Sequence, residues 1–101
     1  MSTWLPLVVP YIRVLADALD TTSHASDRPQ YEAHLAQSAR LVEILASGGG
    51  KDSVDRWIAG EEHRYGWTHL SASQGDAASS AFVELVDALR REGYSARPPE
   101  R

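Results

Sequence analysis

The sequence predicts an all-α fold, a small antiparallel up-and-down bundle of about four helices. Apolar residues recur at three- and four-residue steps in four segments, turn-forming residues separate these segments, and no segment alternates apolar and polar residues as a strand would. A chain of 101 residues can form one hydrophobic core. Short connections favour antiparallel neighbours. The alternative is a three-helix core with a looser N-terminal segment.

The first helix is predicted in the apolar run 5–19. Because Pro10 lacks the amide hydrogen of an established helix, the helix either begins near Val9 or kinks at Pro10, and both alternatives stay open. No basic residue precedes the run, and Arg13 and Asp17 interrupt it. We therefore expect a core helix of a cytoplasmic protein, not a signal peptide or a membrane anchor.

The second helix is predicted to follow Asp27 as its N-cap and to end at the glycines 48–50. Its expected core positions are Tyr31, Leu35, Ser38, Val42 and Leu45. His34 and Leu41 are expected to flank these positions. We interpret His34 as a partly buried structural histidine. Ser38 is expected to bond back to a carbonyl one turn earlier.

The third helix is predicted to have Asp52 as its N-cap and Gly66 at its C′ position. Its expected inward face consists of Val54, Trp57, Ile58, Glu61 and Tyr65. Gly60 inside this helix costs about 1 kcal/mol relative to alanine, which disfavours an unbroken helix unless close packing or a bend uses the missing side chain.

The fourth helix is predicted to open at Asp76 and to carry a stripe of Ala78, Phe82, Leu85 and Leu89, with Ala81 and Val86 beside it. Gly93 at C′ and Tyr94 at C″ indicate a Schellman motif. Residues 95–101 contain two prolines and no large apolar residue, so they are expected to form a disordered tail after a single domain at 1–94.

Composition excludes several classes of site. The chain has no cysteine, which rules out disulfides, zinc ribbons and thiol chemistry. Its net charge of -4 and its single lysine argue against direct binding of nucleic acid. The four histidines lack the spacing of metal ligands, so neither a metal nor a cofactor is predicted. Abundant arginine and alanine indicate a GC-rich coding bias, and with it a bacterial or phage origin.

Catalytic arrangements are also missing. A carboxylate at Glu61 or Glu62 against Trp57 and Tyr65 is a candidate general acid or base. Adjacent helical residues, however, point about 100° apart and do not converge on one substrate atom. No serine lies in a nucleophile elbow, and the glycines 48–50 lack the preceding strand of a phosphate loop. The chain is therefore predicted not to be an enzyme.

The segment 65–76 is predicted to be a loop of about ten residues, longer than most helix connections. It carries Trp67 and His69, residue types that suit partner-binding anchors. The alternative is that Trp67 and Leu70 fold back and plug the core.

A row of carboxylates is predicted on the outward side of the third helix. Asp52, Asp55 and Glu62 form it, with positions 55 and 62 about two turns apart. A basic partner could meet this row, with Trp67 as the desolvated anchor.

The leading hypothesis is a non-enzymatic protein-binding module that acts as a small acidic inhibitor, like an immunity protein or antitoxin, and masks a basic toxin, nuclease or nucleic-acid effector. One alternative is a small enzyme or ligand-binding regulator that uses the bundle end near Trp67 and His69. The other is a homodimeric structural or adaptor subunit, with exposed aliphatic residues such as Ile44 at its interface.

Overall fold

The computed structural model describes residues 4–22, 25–67 and 72–96, and at 66–67 and 72–76 it describes the course of the backbone only. Four α-helices and a short 3₁₀ turn account for most of this part of the chain: α1 at Leu5–Thr21, the turn at Ala25–Asp27, α2 at Arg28–Ala46, α3 at Lys51–Trp67 and α4 at Ala72–Arg91. No strand occurs among the described residues. The all-α prediction with four helices is confirmed.

Helix α1 begins at Leu5 and continues through Pro10, so the predicted start near Val9 is wrong. The chain tolerates Pro10 in the second turn, where only one backbone hydrogen bond is lost. Tyr11 and Leu15 are buried and α1 packs against both α2 and α4, which excludes the three-helix core. Within the described ranges, no helix is long and apolar enough to cross a membrane.

Helix α2 starts directly after Asp27, as predicted, but the Asp27 side chain makes no capping hydrogen bond. The buried stripe is Tyr31, His34, Ser38, Leu41 and Leu45, whereas Leu35 and Val42 are only half-buried. The prediction therefore placed the centre of the stripe too far to one side. Gly48, with φ of 73°, ends the helix, and the Gly49 amide donates to the Ile44 carbonyl as in a Schellman motif.

Helix α3 is unbroken from Lys51 to Trp67, with Gly60 in its interior. Its predicted inward face is confirmed, although Tyr65 is only half-buried. Two boundary predictions are wrong: Asp52 lies in the first turn and is not the N-cap, and Gly66 lies inside the helix. Most of the predicted loop 65–76 is helical as well, because α3 continues to Trp67 and α4 begins at Ala72.

Helix α4 begins four residues before Asp76, the predicted start, and its apolar stripe is buried as predicted. Its end is a Schellman motif. Gly93 has φ of 80°, and the Tyr94 amide donates to the Leu89 carbonyl at 2.9 Å. Beyond it, Ser95 is buried and its hydroxyl donates a hydrogen bond to Asp55 of α3. The domain boundary at 94 stays a prediction. The predicted tail from residue 97 onward lies outside the described residues.

The core lies between all four helices. Phe82 of α4 is at its centre, since its ring lies 6.0 Å from that of Tyr11, 6.1 Å from Trp57 and 4.9 Å from Tyr65. Helix α1 packs against both α2 and α4, and α2 packs against α3. The side chains in this core are Val8, Tyr11, Leu15, Ala18, Tyr31, Leu41, Leu45, Val54, Trp57, Ile58, Ala78, Phe82, Leu85, Val86 and Leu89.

Candidate functional site

A polar pair is buried between α2 and α3. The Nδ1 atom of His34 lies 2.8 Å from Oε2 of Glu61, and their side chains are 0% and 2% exposed. The second carboxylate oxygen, Oε1, accepts a hydrogen bond of 3.0 Å from Nε of Arg64. His34 donates this hydrogen bond in the tautomer that carries its hydrogen on Nδ1. Glu61 thus links a buried imidazole to a guanidinium at the surface.

The surroundings of His34 hold its ring in one orientation. Tyr65 stacks on the imidazole with ring centroids 4.1 Å apart and an interplanar angle of 13°. The Ser38 hydroxyl donates to the His34 carbonyl at 2.9 Å, as the sequence predicts for this serine. His34 itself is more deeply buried than predicted, and its Nε2 atom has no hydrogen-bond partner within the described part of the chain.

Two tyrosines extend this polar cluster to α1. The hydroxyls of Tyr11 and Tyr65 lie 2.5 Å apart in a hydrogen bond that joins α1 to α3. Burial raises the pKa of both phenols above the usual value, and the nearby Glu61 carboxylate raises both further. Both side chains therefore stay protonated and neutral at pH values where an exposed tyrosine has ionised.

An open groove of about 370 Å³ runs between α2 and α3 above the buried pair. Three guanidinium groups line it, Arg40 from α2 and Arg56 and Arg64 from α3, and Gly60 lies between them. We call this surface the arginine groove. The sequence pattern did not predict this groove. Helical spacing of residues 56, 60 and 64 could have placed two arginines beside one glycine, but the α2 partner depends on the packing of the two helices.

The predicted row of carboxylates on α3 is only partly available to a partner. Asp52 and Glu62 are exposed. Asp55 instead binds the segment after α4: its Oδ1 atom accepts a short hydrogen bond from the Ser95 hydroxyl, and its Oδ2 atom accepts one of 3.3 Å from the Ala96 amide. The structure thus shows Asp55 holding Ser95 and Ala96 against α3.

The two predicted anchors cannot be compared with side-chain positions. Trp67 is the last residue of α3, five positions after Glu62, and only its backbone is described. His69 and Leu70 lie outside the described residues. Partner binding by Trp67 and His69, and the alternative of a core plug, both remain predictions.

A second surface feature lies between α3 and α4. Val83 is 56% exposed, and with Phe82 and Val86 it lines a cavity of about 150 Å³. The charged groups that line this cavity are the carboxylates of Glu62 and Asp87 and the guanidinium of Arg90. We call Glu62, Val83 and Asp87 the acidic face. It includes one of the predicted partner-binding residues, and Val83 is also one of the aliphatic residues that helical spacing places outward.

Metal and acid–base chemistry can be tested against this geometry. Glu61 and Glu62 diverge, the first into the core and the second to the surface, so they do not converge on a substrate atom. His34 and Glu61 supply only two candidate metal ligands. The described residues hold no group of three or more His, Asp or Glu side chains that could bind a metal ion. The arginine groove and the acidic face remain as candidate sites.

The chain was compared with known proteins at three levels. No protein-family model, no curated protein sequence and no solved structure matches it. Function therefore has to be argued from the two surfaces themselves.

Proposed function

We propose that the chain is a non-enzymatic protein-binding module that uses the acidic face to mask a basic partner protein. The observation that carries this proposal is the exposure of Val83 beside the carboxylates of Glu62 and Asp87. Exposed apolar side chains with a charged rim are typical of protein interfaces, in which the apolar centre contributes affinity and the charges contribute orientation and association rate.

The charge of the face favours a basic partner over a second copy of the chain. A twofold dimer on this face would bring the same carboxylates of both copies together, and like charges at an interface cost free energy. A partner rich in lysine and arginine has the opposite effect, and the net charge of -4 attracts it from a distance.

A toxin, nuclease or other nucleic-acid effector has such a basic surface. In this proposal the chain acts as a small acidic inhibitor of the immunity-protein or antitoxin kind, in the cytoplasm of a bacterium or in a phage-infected cell. Trp67, five residues after Glu62 on α3, and His69 are proposed as further anchors of the same interface, and Asp52 as part of its rim. Asp55 is left out, because it already binds Ser95 and Ala96.

Two charge-matched variants test the proposal. Glu62→Lys with Asp87→Lys reverses the acidic face, and Glu32→Lys with Glu43→Lys makes the same change in net charge at exposed positions of α2. Proteins captured from source cells by the wild type are identified, and their binding kinetics are measured by surface plasmon resonance. We expect the first variant to lose the basic partner, chiefly through slower, salt-dependent association, while the second retains it.

Val83→Asp provides a second measurement on the same partner. It should mainly speed dissociation, because it removes the apolar centre of the interface. Equal loss of binding by both charge variants would contradict the acidic face as the interface. Recovery of only the chain itself, with a dimer in sedimentation, would replace the proposal with the homodimeric alternative.

A further inference from the structure

The arginine groove concentrates positive charge on an acidic protein. Three of the ten lysine and arginine residues line it, although the chain as a whole carries a net charge of -4. The one carboxylate that lines the groove is that of Glu61, and its two oxygens are already engaged by His34 and Arg64. The groove therefore attracts anions in spite of the overall charge of the protein.

Among the described residues, two of the guanidinium groups have no acidic partner. Arg40 and Arg56 are exposed, and neither forms an ion pair within the described part of the chain. The Nε atom of Arg56 reaches only the Asp52 carbonyl oxygen, at 3.5 Å. Guanidinium groups bind carboxylate and phosphate groups through paired, charge-assisted hydrogen bonds. Because Arg40 comes from α2 and Arg56 from α3, an anion between them would be held from both walls.

Apolar side chains line one wall of the groove, and the space above Gly60 is open. Ile44 and Trp57 line this wall, and the Trp57 indole is held in place by a hydrogen bond of 2.6 Å from its N–H to the Gln37 carbonyl. At Gly60 a Cβ atom would meet no other atom within 4 Å, so the space above this residue is free. The volume of about 370 Å³ lies at the lower end of the range for small-molecule sites.

From this geometry we propose that the arginine groove binds a small organic anion, a compound with a carboxylate or phosphate head and a compact apolar body. The head lies between Arg40 and Arg56, and the body lies over Gly60 against Trp57 and Ile44. This site is separate from the acidic face, whose residues do not line the groove. Anion binding in the groove therefore does not depend on protein binding at the acidic face.

A nuclear magnetic resonance titration of the full chain at low salt tests this site. The probes are phenyl phosphate, benzoate, inorganic phosphate and the neutral compound benzyl alcohol. We expect saturable binding of phenyl phosphate, benzoate or both, with the largest amide shifts near residues 40, 56 and 60. Saturation by phenyl phosphate alone identifies a phosphate head, and saturation by benzoate alone identifies a carboxylate head. Inorganic phosphate should bind more weakly, and benzyl alcohol should not saturate.

Variants of the groove locate the binding. Arg40→Gln and Arg56→Gln should each weaken it roughly tenfold or more, because each removes a charge-assisted hydrogen bond. Gly60→Leu fills the open space above residue 60 and should abolish binding. The matched control is Ala59→Leu, which adds the same side chain at the neighbouring exposed position outside the groove and should bind as the wild type does.

Three results would overturn the site. The first is the absence of saturation by either organic anion. The second is unchanged binding by Gly60→Leu, and the third is a pattern of shifts centred on arginines elsewhere, such as Arg13 and Arg28. Binding of inorganic phosphate as tight as that of phenyl phosphate would contradict the apolar part of the proposal.

Discussion

The two halves of the bundle are built from different chemistry. Between α1 and α4 the buried side chains are mainly aliphatic, as at Leu15, Leu85 and Leu89. Between α2 and α3 the core contains the polar pair His34 and Glu61. An apolar interface tolerates small changes of helix position, whereas a hydrogen-bonded pair fixes the register of two helices but depends on both partners being present. The second half is also the one with an arginine-lined groove at its surface.

The largest difference between the two halves is expected for leucine truncation. Leu89→Ala in α4 removes a side chain with no exposed surface and should cost about 2–5 kcal/mol of unfolding free energy, since it leaves a cavity. Leu35→Ala in α2 should cost less, because that leucine is only half-buried. Chemical denaturation measures both. Equal losses would mean that Leu35 belongs to the centre of the core, as its helical spacing first predicts.

Alkaline pH should weaken the contact between α1 and α3. The raised pKa values of Tyr11 and Tyr65 mean that the folded chain keeps both phenol protons above pH 10, while the unfolded chain releases them. The contribution of these two tyrosines to stability is therefore fully present below pH 10. Above pH 10, each of them lowers the unfolding free energy by about 1.4 kcal/mol per pH unit.

Denaturation from pH 8 to pH 11 measures this slope. Tyr11→Phe should make the decline shallower. The chain has one lysine and no cysteine. Burial also raises the pKa of Tyr31, so Tyr31 contributes to the decline and part of it should remain in this variant. A flat profile in the wild type would show that the phenols ionise as freely in the folded state as in the unfolded one.

A smaller loss is expected at the end of α4. Gly93→Ala should destabilise the protein by roughly 1–2 kcal/mol, because its φ of 80° is unfavourable for a residue with a side chain. No atom lies within 4 Å of the added Cβ, so the cost is conformational and not steric. Thermal melts compare the variant with the wild type. An unchanged melting temperature would be inconsistent with the Schellman motif.

The smallest effect is expected in the opposite direction. Gly60→Ala should stabilise the protein by about 0.5–1 kcal/mol, since Gly60 has ordinary helical surroundings and free space at its Cβ position. The same melts measure this gain. A loss of stability would show that α3 needs the conformational freedom of glycine at this point.

Sequence periodicity predicts the two halves unequally well. The stripe of α4 and its cap at Gly93 follow from the sequence, because every described buried residue of α4 is apolar and Gly93 takes the positive φ of the cap. In α2 the same reasoning places Leu35 inside and His34 at the side, and the structure reverses them. A pattern that scores hydrophobicity cannot recognise a buried histidine, since its burial depends on a carboxylate from another helix.

One signal could have identified the pair. Glu61 is predicted on the inward face of α3, and a buried carboxylate needs a hydrogen-bonding partner. On α2, Ser38 is a polar residue within the predicted stripe and His34 flanks it. Ser38 is expected to bond back to a carbonyl of its own helix, which makes His34 the natural candidate. The arginine groove could not be predicted in this way, because the approach of Arg40 to Arg56 depends on the relative positions of two helices.

The central claim is that His34 and Glu61 form one interdependent buried pair that holds α2 against α3. A double-mutant cycle with His34→Leu, Glu61→Leu and the combined variant tests it, with unfolding free energy as the readout. Each single exchange leaves a buried polar group without its partner and should cost roughly 1–3 kcal/mol. The double variant should lose less than the sum of the two single losses, by roughly 0.5–3 kcal/mol. Strictly additive losses would show that the two side chains do not depend on each other and would contradict the account.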